Sequence, residues 1–310
     1  MRIFVTGASG WIGSAVVAEL IGAGHDVVGL ARSDASADAI TAVGATAHRG
    51  TLDDLDSLRA AAAAADGVIH LAFKHEIAFS GDFQGAADAD RRAVETFGDA
   101  LAGSDRPLVI ASGTLGIAPG RIATERDGHG PADASMAAHG SGPMTRRNTA
   151  EFVLDLASRG VRSSVVRLAP INHGDGDNGF AAALVGLACT NRAAGYIGDG
   201  SNRWPSAHRL DSAHLFRLAV ENAPAGSTLH AVSDEGVPIL DVAEVIGRHL
   251  HLPLVSVAPE DAGEHFTWLA GFIGLDAPAS STLTRKLLGW QPVQPGLIED
   301  LDAGHYFRTP

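Results

Sequence analysis

Arg2-Ile3-Phe4-Val5-Thr6-Gly7-Ala8-Ser9-Gly10-Trp11-Ile12-Gly13 is the stretch that decides the fold. Arg2 to Thr6 is a short apolar run, and helical spacing runs from Ile12 to Ala23 and stops at Gly24. A strand therefore passes through a glycine turn directly into a helix. In that context the first glycine permits a tight turn, the second lets backbone approach a pyrophosphate, and the third lets helix and strand pack closely. Unpaired N–H groups at the helix start, aided by the helix dipole, then face an anion. Gly7, Ser9, Gly10, Trp11, Ile12 and Gly13 are thus expected to grip the phosphates of a dinucleotide. The competing reading is a structural βα turn with no ligand.

Further along the chain, strands at Asp26–Leu30, Thr46–His48, Gly67–Leu71, Pro107–Ser112 and Val161–Leu168 alternate with helices. The helices are placed at Ala35–Val43, Asp53–Ala65, Gln84–Ala102 and Thr145–Ser158. Strands separated by helices of this length predict a parallel sheet with right-handed crossovers. Pairs such as Val68-Ile69 and Val165-Val166 suit strands buried on both faces. The expected class is α/β, a Rossmann-type doubly wound parallel sheet with a smaller C-terminal substrate lobe. Residues 1–170 form the nucleotide-binding domain, and 171–310 form the lobe, interleaved with the last sheet elements. In that second part a turn-rich segment is expected at Tyr196–Trp204. Helices are placed at Asp211–Val220 and Ile239–His249, a strand at Leu229–Val232, and a helical stretch at Pro259–Gly274.

The strand ends refine the ligand. Leu30-Ala31-Arg32-Ser33 closes the second strand. An acid there would bind a ribose 2′-hydroxyl, whereas an arginine pairs with a 2′-phosphate. Arg32 and Ser33 therefore favour NADP(H), while Asp34, two residues beyond Arg32, leaves NAD(H) open. Leu52-Asp53 starts a helix, where Asp53 caps that helix or meets the adenine amino group. His70-Leu71-Ala72-Phe73 ends the fourth strand, and the backbone of Leu71, Ala72 and Phe73 is expected to pass the cofactor. His70 itself reads as a packed strand residue.

The bulk numbers bound the partners. A chain of 310 residues with 45% hydrophobic and 19% charged residues can bury a full core. The net charge of −13, with no basic run, argues against nucleic acid and anionic membranes. The one cysteine, Cys189, excludes an internal disulfide and points to a reducing compartment. No signal peptide and no apolar run long enough for a membrane span are expected, so the reading is cytoplasmic. His249 and His251 lie two apart, and no His-x-x-x-His spacing occurs, so no metal is expected. Neither a Gly-x-Ser-x-Gly elbow nor a Walker loop is present.

Together these features resemble the extended short-chain dehydrogenase/reductase superfamily, of the NAD-dependent epimerase/dehydratase type. The carrying pieces are Thr6 to Gly13, Asp66-Gly67-Val68-Ile69-His70-Leu71-Ala72, Val166-Arg167-Leu168-Ala169-Pro170 and Trp204-Pro205-Ser206-Ala207-His208-Arg209-Leu210-Asp211. The resemblance implies backbone contacts to the nicotinamide end from Pro170, Ile171 and the segment up to His173. It also implies a serine or threonine after the fifth strand, then Tyr-x-x-x-Lys as general acid/base and its cation. Here the chain departs from the pattern. Its two tyrosines are Tyr196 and Tyr306, outside the required place. Counting back from Ala150-Glu151, the lysine position holds Arg147 and the tyrosine position Pro143. The hydroxyl position falls on Gly113 or, with a one-residue slip, Thr114, with Ser112 adjacent.

The expected member is therefore atypical: it binds the cofactor but lacks the usual proton-transfer pair. Thr114, Ser112, Arg147 and His139 are the catalytic candidates, each weighed against a loop or solvated role. Lys74, His75, His173 and the pair His208–Asp211 are weaker alternatives. Phe180, Trp204, Phe266, Trp268 and Phe272 either line an apolar pocket or form ordinary core. The leading function is an NADP(H)-dependent oxidoreductase acting on a small carbonyl. A nucleotide-sugar epimerase or dehydratase and a non-catalytic NADP(H)-binding redox sensor are the alternatives. The partner expected is a small-molecule substrate, with a homodimer through the helices at 84–102 and 145–158 left open.

Overall fold

The computed structural model describes residues 1–129 and 141–308. The first part of the chain runs β1 (Arg2–Thr6), α1 (Trp11–Gly22), β2 (Asp26–Ala31), α2 (Asp34–Ala42), β3 (Thr46–Arg49), α3 (Leu55–Ala63) and β4 (Gly67–His70). It continues with α4 (His75–Phe79), α5 (Phe83–Leu101), β5 (Pro107–Gly113), α6 (Ser141–Asp155) and β6 (Arg162–Leu168). The later part holds β7 (Ile171–His173), α7 (Phe180–Asn191), β8 (Ala194–Ile197), β9 (Arg203–His208), α8 (Arg209–Asn222), β10 (Ser227–Ala231) and β11 (Asp234–Pro238). It closes with α9 (Ile239–Leu250), β12 (Leu254–Val257), α10 (Ala262–Phe266), α11 (Ala270–Ile273), α12 (Thr282–Leu288) and α13 (Leu297–Asp302).

The main sheet has seven strands in the order β10-β6-β5-β4-β1-β2-β3. Every pairing in it is parallel. This is the doubly wound order, with the reversal between β1 and β4. Alternation along β1 shows why both faces are covered. Ile3 and Val5 point into one core with α1 and α8, while Phe4 points into the other with α3, α5 and α6. β4 and β5 repeat the division, with Ile69 and Val109 on the first face and Val68, Leu108 and Ile110 on the second. Phe4 and Phe97, both fully buried, meet edge-on at 6.2 Å. Each such side chain contributes about 1.5–3 kcal/mol by leaving water.

Residues beyond 170 build a second core around Trp204, Phe266, Leu269 and the apolar faces of α7 and α9. They also return to the main sheet, because α8 packs on α1 and β10 is the strand beyond β6. The segment expected as turn at 196–204 instead contains the end of β8 and the start of β9. Gly198 and Gly200, with φ of 59° and 70°, occupy only the connection between them. β8 is four residues long and pairs with β12, nearly sixty residues later, so nothing local marks it. The helical stretch at 259–274 is broken into short turns, with a break at Thr267, where φ is 51°. No helix among the described residues is long and apolar enough to cross a membrane.

Candidate active site

The glycine turn closes on itself before it can hold anything else. Gly10 N–H donates to the Gly7 carbonyl at 2.9 Å, and Ser14 N–H to the Gly10 carbonyl at 2.9 Å. Gly7 has φ +70°, and a Cβ there would lie 2.8 Å from the Ala72 nitrogen. A Cβ on Gly13 would lie 1.9 Å from the Gly7 oxygen. Gly10 caps α1 with no side-chain bond, and no acid stands in the first turn. The helix thus presents its N-terminal amides and dipole without a competing carboxylate, as an anion site requires. Ser9 and Gly10 are exposed, and Ile12 packs on the core. Trp11 ties the turn to the second core: its indole N–H donates to the Asn172 carbonyl at 2.8 Å, and Arg209 lies 4.1 Å over its ring.

Beneath the turn runs a buried polar chain. The Thr6 hydroxyl accepts from Ala72 N–H at 3.2 Å and lies 2.7 Å from His70 Nδ1. His70 Nε2 lies 3.1 Å from an Asp90 carboxylate oxygen on α5. The chain is satisfied when the threonine donates to Nδ1 and the imidazole donates from Nε2 to the carboxylate. Burial pushes the Asp90 carboxyl up, but the His70 bond and the charge of Arg146 outweigh burial and hold it below the usual range. His70, expected as a packed strand residue, also pins the segment after β4 against β1.

At the other side of the turn, Arg32 is exposed and forms a two-point ion pair with Glu76, at 2.6 and 3.2 Å. Ser33 caps α2 through Ser36. Asp34 pairs with Arg49 at 2.8 Å. The structure corrects the expected cap of α3. Asp54, not Asp53, accepts from Ser57 N–H and caps the helix. Asp53 instead binds the Lys74 ammonium through both oxygens at 2.7 Å. Leu52 is buried in the second-face core.

At the C-terminal ends of β4 and β5 the structure reorders the catalytic candidates. Ser112 is half-buried in register with Arg167. Thr114 is 1% exposed and its hydroxyl turns to the Leu168 carbonyl at 3.4 Å, so it is not presented to the cleft. Arg147 donates to the Gly128 carbonyl at 3.2 Å, next to the Asp127 carbonyl that Arg167 of β6 holds. Its neighbour Arg146 takes the inner position. That guanidinium donates to the Ala111 carbonyl at 3.3 Å and lies 4.1 Å over the Phe73 ring. The helix period explains the choice: Arg146 shares a face with the buried Thr149, Ala150 and Val153, and Arg147 lies off it. Burial and then Arg146 push the His75 imidazole below its ordinary pKa. His139 lies outside the described residues. Pro143 falls within α6.

The two tyrosines sit elsewhere. Tyr196 is on β8. The Tyr306 hydroxyl donates to Asp177 at 3.0 Å and accepts from Gly174 N–H at 3.2 Å, and burial raises its pKa. Ile171 is buried and Pro170 half-buried beside Asn172, whose side chain binds Ala169 and Ser212. His173 is fully buried, with Nδ1 on Asp300 at 2.9 Å and its ring edge-on to His208. Asp211 accepts from the Val293 and Gln294 amides, so it secures the chain after α12 rather than pairing with His208. Trp204 and Phe266 are core, whereas Phe180 stacks between Trp204, Trp268 and Phe272, with Trp268 47% exposed.

Sequence reasoning missed Arg146 and Glu76. The face of α6 carried the signal for the first. For the second, only the sheet order places α4 opposite the end of β2.

The model of the NAD dependent epimerase/dehydratase family matches residues 3–232. An uncharacterized protein of Schizosaccharomyces pombe is 43% identical over 308 residues, covering 99% of this chain and all of the relative. A 4-hydroxy-2-methyl-3-oxo-4-farnesyl-3,4-dihydroquinoline-1-oxide ketoreductase of Stigmatella aurantiaca is 27% identical over 245 residues, covering 77% of this chain and 70% of that one. Among solved structures, UDP-glucuronic acid 4-epimerase from Bacillus cereus, in complex with a UDP-sugar and NAD, superposes with a TM-score of 0.76 at 16% identity. That match covers 98% of each chain. With the glycine turn, the seven-stranded parallel sheet and a family match over more than half its length, the chain belongs to the NAD-dependent epimerase/dehydratase family.

Proposed function

We propose that this protein is an NADP(H)-preferring oxidoreductase that reduces a small carbonyl without the tyrosine its family uses, NAD(H) being the weaker cofactor. The observation that carries the reading is the glycine turn with an uncapped, acid-free helix start. The close approaches at Gly7 and Gly13 leave no space for side chains, as a phosphate cradle needs. When bound, the nicotinamide would supply the hydride.

The protein's own groups would do the rest. Gly10, Trp11 and Ile12 hold the phosphates, Arg32 the 2′-phosphate, and the backbone of Leu71, Ala72 and Phe73 flanks the cofactor. Among the described residues, Arg146 and Ser112 are polar side chains at the β5 end. A guanidinium keeps its proton, so Arg146 acts as a fixed donor that stabilises a developing alkoxide, with water supplying the proton. The exposed Trp268 beside Phe180 and Phe272 supports an apolar substrate. A relative named as a ketoreductase is consistent with that class. The acidic composition and the single Cys189 support a cytoplasmic setting.

Calorimetry with NADPH and NADH tests binding, and loss of reduced-nicotinamide absorbance with a carbonyl panel tests turnover. Failure to bind either dinucleotide ends the reading. Tight binding without turnover favours the second reading, a redox sensor, which the proline at position 143 supports.

A further inference from the structure

Arg32 does not stand free at the end of β2. Its guanidinium meets both carboxylate oxygens of Glu76, at 2.6 and 3.2 Å. Both side chains are open to solvent, at 67% and 75%. The pair is not local. Arg32 follows β2, Glu76 lies in the first turn of α4 after β4, and β1 with its glycine turn runs between those strands. The ion pair therefore crosses the mouth of the turn. A second pair follows the same route, since Lys74 before α4 holds Asp53 beyond β3. Arg49 nearby is taken by Asp34. Each of these three cations at the adenosine end of the sheet faces a carboxylate.

This charge pattern bears on the cofactor. A 2′-phosphate needs the two-point face of a guanidinium, and here a carboxylate occupies that face. The same carboxylate would repel a phosphate brought beside it. A 2′-hydroxyl suffers neither effect, because a carboxylate accepts its proton.

Resting on the oxidoreductase reading above, we propose that Glu76 sets the ratio of NADP(H) to NAD(H) binding by holding Arg32, which must be released before a 2′-phosphate can take it. Arg32 alone overstates the preference for NADP(H). Exposed ion pairs are weak, so the competition corresponds to about threefold to fivefold in affinity, and low salt enlarges it.

The test uses the full chain and Glu76→Gln. Affinities for NADPH and NADH are measured by calorimetry, with 2′,5′-ADP and 5′-AMP as probes that lack the nicotinamide half. In Glu76→Gln the ratio Kd(NADH)/Kd(NADPH) rises about threefold or more, and the 2′,5′-ADP to 5′-AMP preference rises in parallel. In an Arg32→Gln background the same change moves the ratio less, because the competition for the guanidinium is gone and only the repulsion between Glu76 and the phosphate remains. A role for Glu76 in α4 alone would move both cofactors together and persist without Arg32. A ratio that stays within twofold, or falls, overturns the proposal while leaving the oxidoreductase reading intact. Loss of all dinucleotide binding in the wild-type protein would overturn both.

Discussion

Three glycines along one helix make a graded test of the cofactor turn. A methyl on Gly13 would lie 1.9 Å from the Gly7 oxygen and 2.7 Å from the Gly7 carbonyl carbon. Non-bonded heavy atoms rest at about 3.5 Å, so the turn must open by roughly 1.5 Å. Both obstructing atoms are backbone, and the Gly10–Gly7 hydrogen bond of 2.9 Å lies in the path. Losing that bond costs about 1 kcal/mol and overpacking about 1–3 more. Gly13→Ala is thus expected to lose about 2–4 kcal/mol, or roughly 3–6 °C in Tm for a chain of this size. Opening the cradle is also expected to weaken NADPH binding, because the backbone amides no longer converge on the pyrophosphate. Gly10→Ala meets only the Gly7 oxygen at 3.2 Å. Its stability should stay within about 1 kcal/mol, while its methyl stands where a pyrophosphate would approach and weakens binding about tenfold. Gly22, at the far end of α1, has nothing within 4 Å. Gly22→Ala is expected to gain up to about 1 kcal/mol from helix propensity, with NADPH affinity unchanged. Thermal denaturation and calorimetry on the three variants provide the readouts. Three indistinguishable variants, or a Gly13→Ala protein with the Tm and affinity of the wild type, would refute the geometry.

Arg146→Gln should lower turnover at least about tenfold with little change in Tm, and more than Arg147→Gln does; equal effects in steady-state kinetics would remove Arg146 from the site. Arg32→Asp should shift preference from NADPH towards NADH, and an unchanged Kd ratio would detach Arg32 from the phosphate. His230 supplies a pH signature of the fold. Burial, with Arg167 at 3.5 Å, pushes its imidazole down to about 4, and Nδ1 donates to the Ser280 carbonyl. The unfolded chain takes a proton near pH 6.5 that the folded chain refuses until about 4. Stability present above 6.5 is therefore lost as pH falls through that window, at up to about 1.4 kcal/mol per pH unit. His230→Gln should flatten that part of the urea-denaturation profile, and an unaltered slope would contradict the burial argument.

The sheet and its turn were legible because their signals are local. Glycines at 7, 10 and 13 between a strand and a helix specify a close βα approach, and the Val/Ile runs mark strands covered on both faces. What stayed hidden depends on contacts distant in sequence. β8 exists because β12 lies beside it, and β7 because β9 does. The Arg32–Glu76 pair needs β4 to cross next to β1, which spacing alone does not encode. The two neighbouring arginines of α6 were separated by another cause. Family spacing pointed to Arg147, but the helix turns Arg146 towards the sheet, as the burial of Thr149, Ala150 and Val153 records. Asp53 and Asp54 were adjacent candidates for one cap, and backbone geometry selected the second.

The proposed hydride transfer without a tyrosine is reached most directly by one kinetic measurement. NADPH is incubated with the wild-type protein and a panel of small apolar carbonyls while reduced-nicotinamide absorbance is followed. Steady carbonyl-dependent loss of absorbance is expected, suppressed in Gly13→Ala and in Arg146→Gln. Tight NADPH binding with no absorbance change on any member of the panel would contradict it.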